Sequence, residues 1–515
     1  MDRVGQKDSI VGERLPFFWA GCAAISLGVM LHLPMLAMAH KMGNHLAGMT
    51  MDPGMWFGMA LILIGALLAC FGALPKKRAP HGEHAGTSFE APDSTPLNRW
   101  HAATLLVLTL GLVIDVMKPA TLGFVLPGMA AEYGIDRSRV ALLPLVALTG
   151  TTIGSFLWGW LADIYGRRVS ILLSTILFVS TAICGAMPEF EWNLVMCFLM
   201  GTSAGGMLPV IYTLLAEVMP PRHRSWVLVL VGGTGLVGGY IAASGAAYVL
   251  EPIYGWRSLW LQGFPSGLLL LALARFIPET PRFLAKRGRT SELAEMQRKF
   301  GLRPKPRPAH PPKDSPSPKG HRQITVALTV TALCWSFVNF GLLLWLPSDL
   351  QSRGYSAEIG SGILARSSLI AFPTILLAAF FYARHSSKWT LVGTVSLTFI
   401  GLLGALLPAK LLSWEPMLVS VIAMLIVGTN GTIAVLLPYT AENYPLGTRG
   451  RATGLVAGSS KFGGVAVQVA ALVGFAPTLV GAALALLLPT AASVGMVAWA
   501  GRESRGRSLR ELDAE

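Results

Sequence analysis

Four ionisable residues stand inside apolar stretches of this chain, Asp115, Lys118, Arg366 and Lys461, while almost all the others fall in loops or at the ends of such stretches. A charge in hydrocarbon costs about 2.5 to 3.5 kcal/mol on insertion scales, so these residues are expected to face a protein interior or a watery cavity. A carboxyl in that setting is suited to carrying a proton. Three bases against one acid leave a net positive site, and its simplest complement is an anion such as a carboxylate. Asp115 and Lys118 lie three apart on one helical face and can instead neutralise each other. Pro119 follows at once and removes a backbone donor, so the helix is expected to be broken locally where a ligand binds. Lys461 lies about ten residues into its run, roughly 15 Å deep at 1.5 Å per residue. Its ammonium is too deep to snorkel and is expected to lack a fixed partner, a cost that a bound carboxylate would relieve. Arg366, about seven residues in, can snorkel or pair.

The elements that must hold these residues are transmembrane helices. Hydrophobic residues make up 53% and charged residues 13% of the 515 residues, and the mean hydropathy is +0.56, which is too apolar for a soluble chain of this length. The net charge of +14 comes from bases gathered in short loops without interleaved aromatics, which argues against a nucleic-acid partner. Cys22, Cys70, Cys184, Cys197 and Cys334 all lie in apolar runs with no metal-like spacing and read as packing residues. No Ser-His-Asp set, zinc spacing or phosphate-binding glycine loop stands in a hydrophilic segment, so neither an enzyme nor a cofactor is expected. Windows of about twenty apolar residues give early spans over roughly 15 to 38 and 55 to 74, then twelve more beginning near 101, 141, 169, 193, 225, 258, 324, 359, 389, 416, 452 and 477.

Basic residues fall on alternate loops: Lys76, Lys77, Arg78 and Arg99, then Arg167 and Arg168, Arg222 and Arg224, Arg384 and Lys388, Arg449 and Arg451, and Arg502 onward. The positive-inside rule puts those loops and both termini in the cytoplasm. Residues 279–323, rich in Pro, Lys and Arg, cannot bury enough apolar surface to fold alone and read as a linker. The expected division is a two-helix extension with its own linker over 1–98, six helices over 99–278, the linker over 279–323, six helices over 324–500, and a tail over 501–515.

Between the spans near 141 and 169 stands Gly159-Trp160-Leu161-Ala162-Asp163-Ile164-Tyr165-Gly166-Arg167-Arg168. Gly159 is expected to let a neighbouring helix approach, Asp163 to cap a helix or pair with a base, and Gly166 to permit a tight turn. Arg167 and Arg168 hold the loop in the cytoplasm. Ala216-Glu217 through Arg224 also aligns without gaps on Ala441-Glu442 through Arg449, an internal repeat across the two halves. Glu217 and Glu442 are expected to form ion pairs with Arg222, Arg224 and Arg449 that break and re-form as the halves rock.

The Gly159–Arg168 run resembles G-x-L-A-D-x-x-G-R-R of the major facilitator superfamily, and parallel repeated halves are a property of that superfamily. Pro278-Glu279-Thr280-Pro281-Arg282, Glu503-Ser504-Arg505-Gly506-Arg507, Leu208-Pro209-Val210, Asn339-Phe340-Gly341 and Trp345-Leu346-Pro347 resemble its aromatic-acid, metabolite and organic-ion carriers. The resemblance implies an all-α membrane protein, a twelve-helix major facilitator fold of two six-helix bundles plus two extra N-terminal helices. It also implies a basic side chain at Lys461 facing a central cavity, and Asn339 counts with Asp115, Lys118, Arg366 and Lys461 as a candidate substrate or coupling residue. The sequence departs from that branch at Cys197, where an arginine is common, and at Lys118, where an acid is. The hinge of the second half is degraded to Tyr382-Ala383-Arg384-His385-Ser386-Ser387-Lys388.

The expected function is proton-coupled symport of a small organic anion by a monomer in a bacterial inner membrane, its partners being substrate, protons and lipid. The competing readings are an organic cation or drug exporter, and a sensor that kept the fold without transport. His32, Met35, Met38, His40, Met42 and His45 of the extension offer thioether and imidazole ligands suited to copper(I), although methionine also serves as apolar filler.

Overall fold

The computed structural model describes residues 14–74, 87–306, 322–444, 446–475 and 478–504. The extension forms α1 (Leu15–Lys41, with a turn at Leu31 and His32) and α2 (Pro53–Ala73), and strand β1 (Thr87–Glu90) follows. Then come α3 (Arg99–Tyr133), α4 (Arg137–Tyr165), α5 (Arg167–Ala186), α6 (Phe190–Val218), α7 (Pro221–Tyr254) and α8 (Ser258–Phe276). Two shorter helices, α9 (Pro281–Lys286) and α10 (Thr290–Phe300), precede strand β2 (Arg303–Pro306). The remainder is α11 (Arg322–Ser352), α12 (Ala357–Arg384), α13 (Ser387–Ala405), α14 (Glu415–Glu442), α15 (Leu446–Leu472) and α16 (Leu479–Ala500). Fourteen of these are long and apolar enough to cross a membrane, and each begins within about two helical turns of its apolar window.

Short polar residues set several of the starts by taking a free amide of the first turn. Asp52 accepts from the Gly54 amide (3.0 Å) just ahead of Pro53, and Asp136 accepts from Arg139 (2.8 Å). Ser356 caps α12 at Ile359, Ser386 caps α13 at Trp389, and Thr478 caps α16 at Gly481.

The chain divides into two compact units. One holds residues 1–111, 153–224 and 260–307, the other 112–152, 225–259 and 308–515.

In the first unit α1 and α2 pack backbone against backbone. Gly21 and Gly28 on α1, and Gly58, Gly65 and Gly72 on α2, recur every seven residues. A Cβ on Gly21 would stand 2.5 Å from the Gly65 carbonyl oxygen, and one on Gly28 would stand 2.7 Å from that of Gly58. Small residues at such spacing let apolar helices associate through close contact, since lipid supplies no hydrophobic drive between them. Trp56 meets Trp192 edge to face at 6.0 Å, fastening the pair to α6.

The methionine and histidine residues of the extension differ in burial. His32 and Met35 are buried, His32 Nδ1 lying 2.8 Å from the Gly28 carbonyl, whereas Met38, His40, Met42 and His45 are exposed. Among the described residues no three His, Cys, Asp or Glu side chains stand together as metal ligands.

The linker after α8 is more ordered than its composition suggests. It folds against neighbours rather than alone. α10 buries Leu293, Met296 and Phe300 and ends at Gly301 in the left-handed region (φ 67°). β2 pairs antiparallel with β1, Glu90 opposite Arg303 and Phe89 opposite Pro304, so the two linkers complete each other's only sheet among the described residues. The prolines from Pro308 to Pro318 lie outside the described residues.

In the second unit α11 packs along α15 and α16, and α14 lies against α12 and α13. The core at one end is built from Ile324, Leu328, Leu391, Val395, Leu436, Tyr439 and Val497. Midway along α11 the helix widens into a π turn, Phe337–Leu343, whose Asn339 carbonyl accepts the Leu344 amide at 3.1 Å. Such turns mark functional sites in many helices.

Candidate functional site

α3 carries Asp115 and Lys118, which are 5% and 0% exposed, and α15 carries Lys461, which is partly accessible. Asp115 and Lys461 act on each other electrostatically. Asp115 Oδ1 is buried and has no hydrogen-bond partner among the described residues. The charge facing Asp115 therefore includes one from a helix of the other half of the sequence, and Lys461, expected to lack an opposite charge, has one. Lys118 is fully buried and engaged in its own contacts.

The segment around Lys461 is held on the π turn. Ser336 Oγ donates to the Ser460 carbonyl. A Cβ on Gly463 would lie 2.9 Å from the Ser336 Cβ, and one on Gly464 would lie 2.7 Å from the Phe340 ring. Only glycine allows that approach. Gln468, two turns on and fully buried, donates to the Phe340 carbonyl (2.8 Å) and accepts from the Trp345 indole (3.1 Å). It thus satisfies a carbonyl of the widened turn. Asn339 is half-buried in that turn. Trp335 meets Phe340 edge to face at 5.6 Å, and Tyr240 tilts against Phe124 at 6.0 Å. Among the described residues Trp335 Nε1, Tyr240 Oη, Thr429 Oγ1 and Thr432 Oγ1 are buried donors without partners. This unit therefore holds a charge pair, two aromatic pairs and several uncommitted polar atoms.

Arg366 does not join them. It pairs with Glu415 on the outside of α12 and α14, its side chain 56% exposed, in a groove of about 370 Å³ lined by Leu369, Ile370, Pro416 and Val419. Depth in an apolar run was legible, but the direction the side chain faces was not.

A second set of charges lies at helix ends. In the first unit Gly166 adopts φ 102°, the left-handed region that a Cβ disfavours, and a Cβ there would also strike the Glu279 carboxylate. That carboxylate, 4% exposed, accepts the amides of Arg167 (2.8 Å), Arg168 (3.3 Å) and Thr280 (2.9 Å), capping α5. Burial pushes Glu279 above the usual carboxylate range, and these amides and the Arg167 charge pull the other way. Asp163, largely exposed, pairs with Arg167 at 2.9 Å. In the second unit Glu503 plays the corresponding part at the start of α13, accepting from the Ser387 amide (2.9 Å) and the hydroxyls of Ser386 and Ser387.

The profile of the Major Facilitator Superfamily matches residues 108–468. The chain belongs to the Major Facilitator Superfamily. Within it, the chain is 25% identical to the niacin transporter NiaP of Acinetobacter baylyi over 82% of this chain and 98% of that protein. It is 27% identical to the 4-hydroxybenzoate transporter PcaK of the same organism over 72% and 84%. The proton:xylose symporter XylE superposes with a TM-score of 0.61 at 17% identity, covering 80% of this chain and 98% of that one, and shares the fold.

Several expected contacts of the superfamily hinge are redistributed. Among the described residues nothing lies within 4 Å of a Cβ placed on Gly159, and the close approach on α4 is made at Gly154, against the Thr202 carbonyl. Glu217 lies within electrostatic reach of Arg167 and Arg282 rather than Arg222 or Arg224. The chain turns through extended Met219 before α7 begins, which carries Arg222 to an exposed position and Arg224 to Glu90 (3.4 Å). Glu442 is met by hydroxyls, Tyr382 Oη (2.8 Å) and Ser504 Oγ (2.6 Å), while the side chain of Arg449 lies outside the described residues.

Sequence reasoning missed four residues. Glu279 and Glu503 stood in segments noted for resemblance alone, and only an unpaired helix start could have named them as caps. Gln468 carries no charge and escaped a search for ionisable groups. Glu132 ends α3 and binds Arg257 in two bonds (2.7 and 3.1 Å), with both side chains at most 3% exposed. No spacing rule links residues so far apart.

Proposed function

We propose that this protein is a proton-coupled symporter of a small aromatic monocarboxylate, with Asp115 as proton carrier and Lys461 as anion ligand. The observation that carries the reading is that Asp115 on α3 and Lys461 on α15 lie within electrostatic reach of each other. In the empty carrier the two charges cancel. A substrate carboxylate that binds Lys461 leaves Asp115 as an extra negative charge in a buried site, where an uncompensated charge is costly. Protonation of the Asp115 carboxylate restores balance. Loaded and empty carriers then hold the same charge, so one proton accompanies each monovalent anion. Lys118 adds a charge that stays constant through the cycle.

The aromatic pairs Trp335–Phe340 and Phe124–Tyr240 and the free donors of Trp335 and Tyr240 suit a flat ring bearing polar substituents. Relatives named for niacin and 4-hydroxybenzoate transport support that class. Asn339 and Gln468 position the π turn beside the ligand.

The bundles 99–278 and 324–500 rock about the site, joined by the linker 279–323. Asp163, Gly166, Arg167, Arg168, Glu217, Glu279, Glu442 and Glu503 control that exchange without touching substrate, and Arg222 and Arg449 lie at the same helix ends. The basic loops support a cytoplasmic position for these ends and both termini, in a carrier that acts as a monomer in a bacterial inner membrane. Uptake of labelled benzoate, 4-hydroxybenzoate and nicotinate by proteoliposomes, with and without an inward proton gradient, tests this directly. Gradient-driven accumulation of at least one acid is expected. Accumulation of amines alone would favour the exporter, and absence of uptake for every compound would favour the sensor.

A further inference from the structure

We propose that the N-terminal extension is a latch on the conformational exchange of this carrier, and that Glu90 is its positioning residue. The inference rests on the transport reading above. Nothing in a twelve-helix carrier requires residues 87–98, yet they are fastened at several points to the linker that follows α8. β1 pairs with β2. Asn98 Nδ2 donates to the Lys299 carbonyl (2.7 Å), and just beyond, in the first turn of α3, the Trp100 ring lies under the Lys299 ammonium at 4.2 Å and His101 meets Phe300 edge to face at 5.0 Å. The Thr95 side chain sits against Gly301, whose left-handed conformation ends α10.

Glu90, the last residue of β1, reaches beyond this clasp to Arg224 (3.4 Å), which also lies 3.5 Å from the Met219 carbonyl. Among the described residues Arg224 Nε is buried without a partner, and Glu90 is the carboxylate that meets this guanidinium. Its position on α7 gives the contact its consequence. Arg224 lies in the first turn of α7, which runs unbroken from Pro221 to Tyr254, so the contact ties the start of that long helix to the clasp. An anchor in the first turn restrains any movement that tilts α7 at that end. The repeat expected Arg224 to pair with Glu217, and the extension has supplied a different carboxylate instead. Both side chains of the pair are a quarter or more exposed, so the restraint is modest and reversible, as partly solvated ion pairs are.

The test uses the full chain in proteoliposomes, comparing wild type with Glu90→Gln, Arg224→Gln and the charge swap Glu90→Arg with Arg224→Glu. Hydrogen exchange of Thr87–Glu90 and of the first turn of α7 reads the latch itself and needs no transport. Exchange is expected to rise in both single variants and return toward wild type in the swap. Counterflow of the labelled acid is expected to quicken about two- to fivefold in the single variants, with equilibrium affinity changed less than twofold, and to slow again in the swap. Unchanged hydrogen exchange in Glu90→Gln would overturn the latch. Raised exchange with counterflow at the wild-type rate would overturn its coupling to transport. A wild-type protein that moves none of the acids would instead sink the transport reading, and with it that coupling, whatever the hydrogen exchange shows.

Discussion

Asp115 on α3 and Lys461 on α15 are opposite charges that act on each other near the middle of their helices, and the carboxylate keeps one buried oxygen without a hydrogen bond. A fully closed ion pair would have no reason to admit a ligand. An unsaturated one gains from a carboxylate on the basic side and a proton on the acidic side, and that asymmetry is what couples the two.

Asp115→Asn removes the proton site and keeps the shape. Gradient-driven accumulation of the acid should be lost, at least twentyfold below wild type, while counterflow of labelled against unlabelled substrate persists. Accumulation at the wild-type level by this variant would remove Asp115 from the mechanism.

Asp163→Asn breaks the pair with Arg167 at 2.9 Å without reaching the Asp115 unit. Transport should slow about tenfold with the dissociation constant unchanged within twofold. Loss of equilibrium binding by a folded variant would show that Asp163 serves the site itself.

Gln468→Leu leaves the Phe340 carbonyl and the Trp345 indole without their partner. Burying such groups unpaired costs about 1 to 3 kcal/mol each. The purified variant should melt several degrees lower in detergent and bind substrate more weakly, because the π turn loosens. Gln468→Glu, which keeps the acceptor for Trp345, should recover part of the stability.

Glu279 gives a pH signature. Burial raises its carboxyl above the ordinary carboxylate value, so the folded protein holds a proton at pH values where the unfolded chain has released it. Stability from this group is therefore fullest below the ordinary value and declines as pH rises toward the raised one. Glu279→Gln should flatten that slope in thermal denaturation measured from about pH 4 to 8. A slope unchanged by the substitution would assign it to other groups.

The apolar windows located every spanning helix, since about twenty uninterrupted apolar residues have few other uses. The turn at Gly166 was legible because glycine followed by two arginines between spans leaves few alternatives. Asp115 and Lys461 were legible as costly charges, yet their pairing was not, because a sequence gives depth along each helix and not which helices meet. Arg366 shows the same limit from the other side: its depth matched a cavity residue, but a rotation of about 100° per residue turned it outward to Glu415. The ordered linker was hidden by composition, since β1 and β2 lie far apart in the chain and each is too short to read as a strand alone.

The central claim is that Lys461 binds the carboxylate of the substrate. It is tested most directly by equilibrium binding of an acid and of its isosteric neutral amide, nicotinate and the corresponding amide for example, to wild type, Lys461→Gln and Lys461→Arg. The account predicts that Lys461→Gln weakens the acid at least tenfold and the amide less than twofold, while Lys461→Arg retains part of the affinity for the acid. Equal losses for acid and amide in Lys461→Gln, or tighter binding of a cation by that variant, would contradict it.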